Sequence, residues 1–418
     1  MRALVIGDGE HYAPVVRDAL AALPYEVVGL WLAGGGEKLR GGDDYDVPVV
    51  SSLEGGIAEL EPEVVVDLSD EPVLGPRERL RVASRVLARG LPYLGPDFRF
   101  DPPELAPFPR PSLSVIGTGK RVGKTAVTGH VARLLARDRD VVVVAMGRGG
   151  PPEPEVAEAV PTLERLLELS RAGRHAASDY LETAALAGVV TIGCRRCGGG
   201  LAGSAGESNV LAGAALAAER EPDLVIFDGS GAAIPPVDTG ARVLVTSTAQ
   251  PPEVSTGYLN AYRILVSDLV VVTGGLDERL VEAIQDVKEL PVVPVELRPR
   301  PVTPVAGRHV AYFSTAPAEA HVGIERHLRE EHGAEVVVVS GNLARRDALS
   351  DELARVDAEL YLVEIKAAAI DVVAEAALER GVDVAFADNE LVPVGVRDLD
   401  VELVRLADAA VAKEVVPR

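Results

Sequence analysis

Lysine is nearly missing from this 418-residue chain: Lys38, Lys120, Lys124, Lys288, Lys366 and Lys413 are the whole set, and arginine supplies the rest of its 42 basic residues. Against them stand 64 acidic residues, for a formal charge of −22. An acidic excess of this size repels polyanions, so nucleic acid and anionic membrane surfaces are not expected partners. Cysteine is scarce as well. Cys194 and Cys197 are the only two, which excludes a disulfide framework. Their C-x-x-C spacing suggests redox chemistry or half of a metal site, but a structural zinc takes four N/S ligands and no second cysteine pair exists. A site completed across a dimer two-fold stays open. No apolar run approaches the ~18 residues of a membrane span. The opening run 3–6 is too short for a signal-peptide core, and Gly7-Asp8-Gly9-Glu10 follows at once. A cytoplasmic protein is expected.

Two of the six lysines fall in one segment, Leu113-Ser114-Val115-Ile116-Gly117-Thr118-Gly119-Lys120-Arg121-Val122-Gly123-Lys124-Thr125. It reads as an apolar strand running into a phosphate-binding loop. Backbone N–H groups of such a loop, with the N-terminus of the next helix, cradle nucleotide phosphates. Lys124 is placed to reach the β- and γ-phosphates and Thr125 to hold Mg²⁺. In the usual G-x-x-x-x-G-K-[ST] pattern the first glycine would stand at Thr118; here Gly117 precedes it. No [NT]-K-x-D stretch reads a guanine base; the nearest is Thr273-Gly274-Gly275-Leu276. The loop places a nucleoside triphosphate, and this absence speaks against a GTP switch.

At this length the chain can bury more than one core. Residues 1–95 alternate short β-branched runs (3–6, 26–31, 64–68) with helical patterns (14–23, 53–60, 76–89), the signature of a Rossmann-like parallel sheet covered by helices. A proline-rich stretch at 96–111 reads as a stiff linker. The phosphate loop lies in a second unit, 112–297, with strands at 113–116, 141–146, 224–227, 242–246, 269–273 and 292–295. Pro299, Pro301 and Pro304 mark a second linker at 298–308. The last unit, 309–418, alternates again, with strands at 309–313, 336–339, 360–365 and 384–386. The expected fold is three consecutive α/β units, with a mostly parallel phosphate-loop domain between two Rossmann-like domains.

Asp228 ends an apolar strand and precedes Gly229-Ser230-Gly231, where a carboxylate can bind Mg²⁺ or serve the turn. Gly147-Arg148-Gly149-Gly150 follows another strand and should face the γ-phosphate. Arg148 is a candidate for charge stabilisation, and Glu153 or Glu155 for a second metal contact. Gly193-Cys194-Arg195-Arg196-Cys197-Gly198-Gly199-Gly200 sets two guanidiniums beside exposed backbone N–H groups, an anion pocket on a glycine-rich loop. Arg174 and His175 offer another cationic pair before a helix. Gly7-Asp8-Gly9-Glu10-His11 fails as a dinucleotide fingerprint, because it lacks the third glycine and brings carboxylates to a pyrophosphate position. His11 there and Lys366 in Glu364-Ile365-Lys366 are candidate substrate contacts at strand ends.

The phosphate loop taken with Asp228-Gly229-Ser230-Gly231 resembles the dethiobiotin-synthetase branch of phosphate-loop enzymes. Those enzymes are about half as long, with Asp in place of Gly119 and Glu in place of Asp228. A fuller resemblance covers nearly the whole chain. Asp8-Gly9-Glu10-His11-Tyr12, Gly147-Arg148-Gly149-Gly150-Pro151, the Gly193–Gly200 segment and Ile365-Lys366-Ala367-Ala368-Ala369 are similar to the cyclic 2,3-diphosphoglycerate synthetase family. The resemblance implies a ligase that uses ATP and Mg²⁺ to close an intramolecular pyrophosphate in 2,3-diphosphoglycerate, releasing ADP and phosphate. Its product is an intracellular solute associated with thermoprotection. It also implies that Lys120, Lys124, Arg148 and Asp228 serve catalysis, and that the run Gly117, Thr118, Gly119, Lys120, Arg121, Val122, Gly123, Lys124, Thr125 holds the nucleotide. Arg174, His175, Arg195, Arg196, His11 and Lys366 would bind substrate, and Thr125, Asp228, Glu153 and Glu155 metal. A homodimer is expected. Two other readings stay open: a different ATP-dependent ligase, and a phosphate-loop metallochaperone or regulatory NTPase using the cysteines.

Overall fold

The computed structural model describes residues 1–34, 44–174, 176, 178–365 and 369–414. Two compact units emerge. The first comprises Met1–Glu104 together with Gln250–Ser267 and Arg279–Glu289; the second holds Leu105–Ala249, Asp268–Glu278 and Leu290–Arg418. Two excursions from within the span 112–297 thus join the N-terminal unit. In that unit the helix Asn260–Leu265 packs against Pro76–Leu87.

The N-terminal unit carries a six-stranded sheet in the order Val49–Val50, Glu26–Leu32, Arg2–Gly7, Val64–Asp67, Tyr93–Leu94, Arg99–Phe100. Every pairing is parallel except the last, where Tyr93 faces Phe100 across a hairpin. The β-branched runs of the sequence form these strands because branched side chains fit a pleated surface buried under helices.

In the second unit the phosphate-loop strand Ser112–Gly117 lies between Leu224–Asp228 and Ala241–Ser247. Beyond Leu224–Asp228 come Val141–Gly147 and Val190–Cys197, all parallel, and the short strand Glu155–Ala157 closes that edge in the antiparallel sense. On the other side follow Leu269–Thr273 and Val292–Pro301. All residues of Ser112–Gly117 are buried, each large apolar side chain contributing roughly 1.5–3 kcal/mol.

Two expectations need correction here. Residues 298–301 are not linker: the strand Val292–Pro301 runs through Pro299 and Pro301 and pairs antiparallel with Asp383–Pro393. Both prolines have the same parity along the strand. Their missing donors therefore face one side, away from the ladder in which Val302 N–H donates to the Phe386 carbonyl at 2.9 Å. Through this pairing the C-terminal strands Leu360–Glu364, His309–Phe313 and Glu335–Ser340 extend the phosphate-loop sheet and do not form a separate one. The second correction is Val190–Cys197, which is a strand and not a glycine-rich loop. Its pairing with Val141–Gly147 supplies the hydrogen bonds that its own composition does not announce.

The closing helix Leu399–Glu414 returns to the phosphate-loop core, where Leu399, Leu403, Leu406, Ala407 and Ala410 are buried with Leu113, Val127 and Val131. Among the described residues no helix is long and apolar enough to cross a membrane.

Candidate nucleotide and phosphate site

Gly123 caps the helix Lys124–Leu135 with φ of 81°. A side chain there would strike Thr273 at 2.8 Å, so glycine is required on two counts. Gly117 is needed for a different reason: a Cβ would fall 2.9 Å from the carbonyl of Gly231. The Asp228-Gly229-Ser230-Gly231 turn therefore presses directly on the phosphate loop. Thr118, standing where the usual pattern has glycine, is buried; its N–H donates to Val245 at 3.0 Å and its hydroxyl to Thr246 at 3.0 Å. Arg121 takes a left-handed φ of 62°, and Lys120 and Arg121 are exposed. Gly119 is half-buried between them, while Val122 is buried and holds the loop to the sheet by accepting from the Thr273 hydroxyl at 3.0 Å.

Lys124 points back to Asp228, Nζ to Oδ1 at 2.5 Å, and Thr128 donates to the same oxygen at 2.7 Å. Asp228 is wholly buried, and burial pushes its carboxyl above the usual range while Lys124 and Thr128 pull the other way. Its Oδ2 has no hydrogen-bond partner. An orphaned carboxylate oxygen at this depth, on an acid bonded to Thr128 one helical turn along from Thr125, is the donor chemistry of Mg²⁺. The residues fit that ion.

Strand geometry separates Arg195 from Arg196, since successive side chains on Val190–Cys197 leave by opposite faces. Arg196 is 4% exposed; its guanidinium donates to the carbonyls of Gly198 and, at 2.8 Å, Ser230. Its Nε is buried without a partner. A Cβ on Gly231 would lie 3.8 Å from Arg196 Nη2 and 3.4 Å from Lys120 Cγ. Arg196 thus reaches the phosphate loop, although it stands 72 positions after Lys124 in the chain. Burial and the nearby Arg148 lower its proton affinity. Arg195 is half-buried, with its own N–H donating to Asn209 Oδ1 at 2.6 Å. Asn209 also donates to the carbonyls of Pro151 and Pro152, at 3.1 and 3.0 Å, tying the Arg148 loop to this strand. The sequence reading passed over Asn209. Lys120, Arg148, Arg195 and Arg196 make no ion pair among the described residues.

Other candidates are placed differently. Glu155 accepts from Arg174 and, at 2.9 Å, from Tyr180, so in this structure its carboxylate and the Arg174 guanidinium pair with each other. The cause is the edge strand Glu155–Ala157, which turns Glu155 toward the helix Asp179–Ala187. Glu153 is exposed. His11 lies in the N-terminal unit, its Nδ1 3.2 Å from Asp8 Oδ1. His175 and Lys366 fall outside the described residues.

Cys194 and Cys197 are three apart on a strand, so they face opposite ways: Cys194 is buried and Cys197 exposed. They cannot close on one ion as a C-x-x-C loop does. A Cβ on Gly213 would sit 2.2 Å from Cys194 Sγ, and burial pushes that thiol up to about 12. A thiol-specific reagent should therefore titrate one group in the native protein and two after unfolding, and elemental analysis should find no stoichiometric zinc. Two fast-reacting thiols, or one zinc per pair of chains, would overturn this placement.

Three family models match the chain. Those described as the N-terminal, P-loop and C-terminal domains of cyclic 2,3-diphosphoglycerate synthetase cover residues 2–101, 112–297 and 301–390. The chain is 50% identical to the cyclic 2,3-diphosphoglycerate synthetase of Rubrobacter xylanophilus over 98% of each. It is 43% identical to that of Thermococcus gammatolerans over 96% of this chain and 95% of the other. Among solved structures, LpxK from Aquifex aeolicus in complex with ATP aligns with 72% of this chain and 90% of its own at 16% identity, with a TM-score of 0.42. By its full-length relatives and all three domain matches, the chain belongs to the cyclic 2,3-diphosphoglycerate synthetase family.

Proposed function

We propose that the protein uses ATP to close an intramolecular pyrophosphate in 2,3-diphosphoglycerate, releasing ADP and phosphate, as a cytoplasmic homodimer. The observation that carries the reading is the convergence of Arg196, Lys120 and the Gly117–Thr125 loop on the Gly231 turn. An acidic protein binds a substrate with two phosphates and a carboxylate only by concentrating positive charge locally, and four unpaired cations do so here. In the first step an oxygen of one substrate phosphate attacks the γ-phosphorus of ATP, and the bond to ADP breaks. The neighbouring phosphate then attacks the substrate phosphorus so activated and expels inorganic phosphate, which closes the ring.

Both steps bring anion to anion, so catalysis rests on clamping and in-line placement rather than on proton transfer. Lys124 follows the β- and γ-phosphates, Arg148 and Arg196 bracket the transferred group, and Arg195 binds substrate from the opposite face of the strand. Thr125 and Asp228 would hold Mg²⁺, which would supply charge neutralisation to the phosphates. Ring closure is intramolecular and gains from proximity.

Phosphorus NMR of the protein with ATP, Mg²⁺ and 2,3-diphosphoglycerate tests the reading. New cyclic pyrophosphate resonances are expected, whereas slow ATP hydrolysis indifferent to 2,3-diphosphoglycerate would reject it. Asp228→Asn should raise the Mg²⁺ concentration needed for half-maximal turnover and lower kcat more than it weakens ATP binding. An unchanged Mg²⁺ dependence in steady-state rates would return Asp228 to turn chemistry.

A further inference from the structure

With Glu155 paired to Arg174 and Glu153 exposed, Asp228 is the buried carboxylate among the metal candidates. Among the described residues no group of three His, Cys, Asp or Glu side chains could hold a metal ion unaided. A divalent cation here must be completed by phosphate oxygens, the usual arrangement being one or two protein carboxylates plus the substrate's phosphates. The next strand over, Val141–Gly147, pairs Ala145 with Asp228, so Gly147 lies two residues further along the same sheet edge.

What covers Gly147 is Asp179, the first residue of the helix Asp179–Ala187. A Cβ at position 147 would fall 2.8 Å from Asp179 Oδ2. Only glycine leaves the carboxylate room to lie there. Asp179 makes no hydrogen bond or ion pair through its side chain among the described residues. Asp228 and Ala145 are register partners and Ala145 and Gly147 share parity, so the carboxylate over Gly147 lies on the sheet face from which Asp228 points. Three buried polar atoms of this region have no partner: Ser178 Oγ on the preceding residue, a serine only 3% exposed, Asp228 Oδ2 and Arg196 Nε. Two acids on one sheet face beside unfilled hydrogen-bonding capacity are stabilised by a bound cation and its phosphate ligands.

We propose that Asp179 is the second protein carboxylate of a divalent-cation site, shared with Asp228, completed by nucleotide phosphate oxygens and made possible by Gly147. The proposal rests on the reading of Gly117–Thr125 as an ATP site.

The test is the affinity of the protein for a non-hydrolysable ATP analogue, measured in Mn²⁺ and again in a chelator. The ratio of the two dissociation constants reports metal held by protein and nucleotide together, without turnover. Asp179→Asn should shrink that ratio by about tenfold or more with no loss of chelator-condition affinity. Gly147→Ala, which displaces the carboxylate but keeps it, should shrink the ratio as well, and Asp179→Glu should restore part of it. A ratio equal to wild type in both Asp179→Asn and Gly147→Ala would overturn the proposal and leave the ATP site standing. A wild-type protein that binds no analogue under either condition would overturn the ATP reading and this proposal with it.

Discussion

Lys124→Ala should lose roughly 10²-fold or more in turnover and, in the same variant, a large part of its thermal stability. The first effect follows from removing the cation that meets charge developing on the transferred phosphoryl group. The second comes from the 2.5 Å contact with Asp228. Removing one partner of a buried ion pair strands the other, at a cost of about 3–5 kcal/mol. Thr128 still donates to Oδ1, but Oδ2 is already without a partner. Burial holds the Asp228 carboxyl above the usual range. Without Lys124 the folded state therefore binds that proton more tightly than the unfolded chain does. Stability of the variant then falls as pH rises from about 4, the ordinary carboxyl range, toward neutrality. Pairing Lys124→Ala with Asp228→Asn should restore the melting temperature and leave turnover abolished. Melting curves of the single and double variants at two pH values check this. A Lys124→Ala protein as stable as wild type would mean the pair carries no buried charge, and near-normal turnover would place the nucleotide chemistry elsewhere.

Arg196→Ala should cost about 1.5–3 kcal/mol in kcat/KM, near the value of one or two charged hydrogen bonds, and most of it should appear in kcat. The guanidinium is almost fully buried and held by the carbonyls of Gly198 and Ser230, so it is fixed before any ligand arrives. A group fixed in advance beside the phosphate loop loses little entropy when charge shifts toward it. Arg196→Lys should recover only part of the loss, because a point charge cannot satisfy two carbonyls and an anion as a planar fork does. Arg195→Ala should behave differently, raising KM for 2,3-diphosphoglycerate with kcat largely kept. Steady-state kinetics with each substrate varied in turn separates the two. Equal effects from both substitutions would refute the division of labour that strand alternation imposes.

Local signals made the phosphate loop legible. Gly117 to Thr125 are contiguous, and their geometry depends on glycines and a helix start that neighbouring residues dictate. The β-branched runs announced most strands for a similar reason, since 224–227 and 269–273 carry their own pattern. Val190–Cys197 did not. Glycine, cysteine and two arginines do not read as a strand, and only the hydrogen bonds offered by Val141–Gly147 make it one. Asp179 was overlooked because an acid in the first turn of a helix is ordinary dipole chemistry. Nothing along the chain says that Gly147 has been kept clear for it.

By itself the sequence determined an acidic α/β protein with one phosphate-binding loop, a carboxylate at the end of a nearby strand and membership of its family. Those properties are local, or they survive as motifs. Tertiary structure alone decided that the C-terminal strands continue the phosphate-loop sheet through a strand containing three prolines. It also decided that Glu155 is spent on Arg174, and that Arg196, Lys120 and Gly231 meet at one point. These depend on register and on which sheet edge receives which strand, and pairing between residues of different elements leaves no trace in the order of the residues themselves.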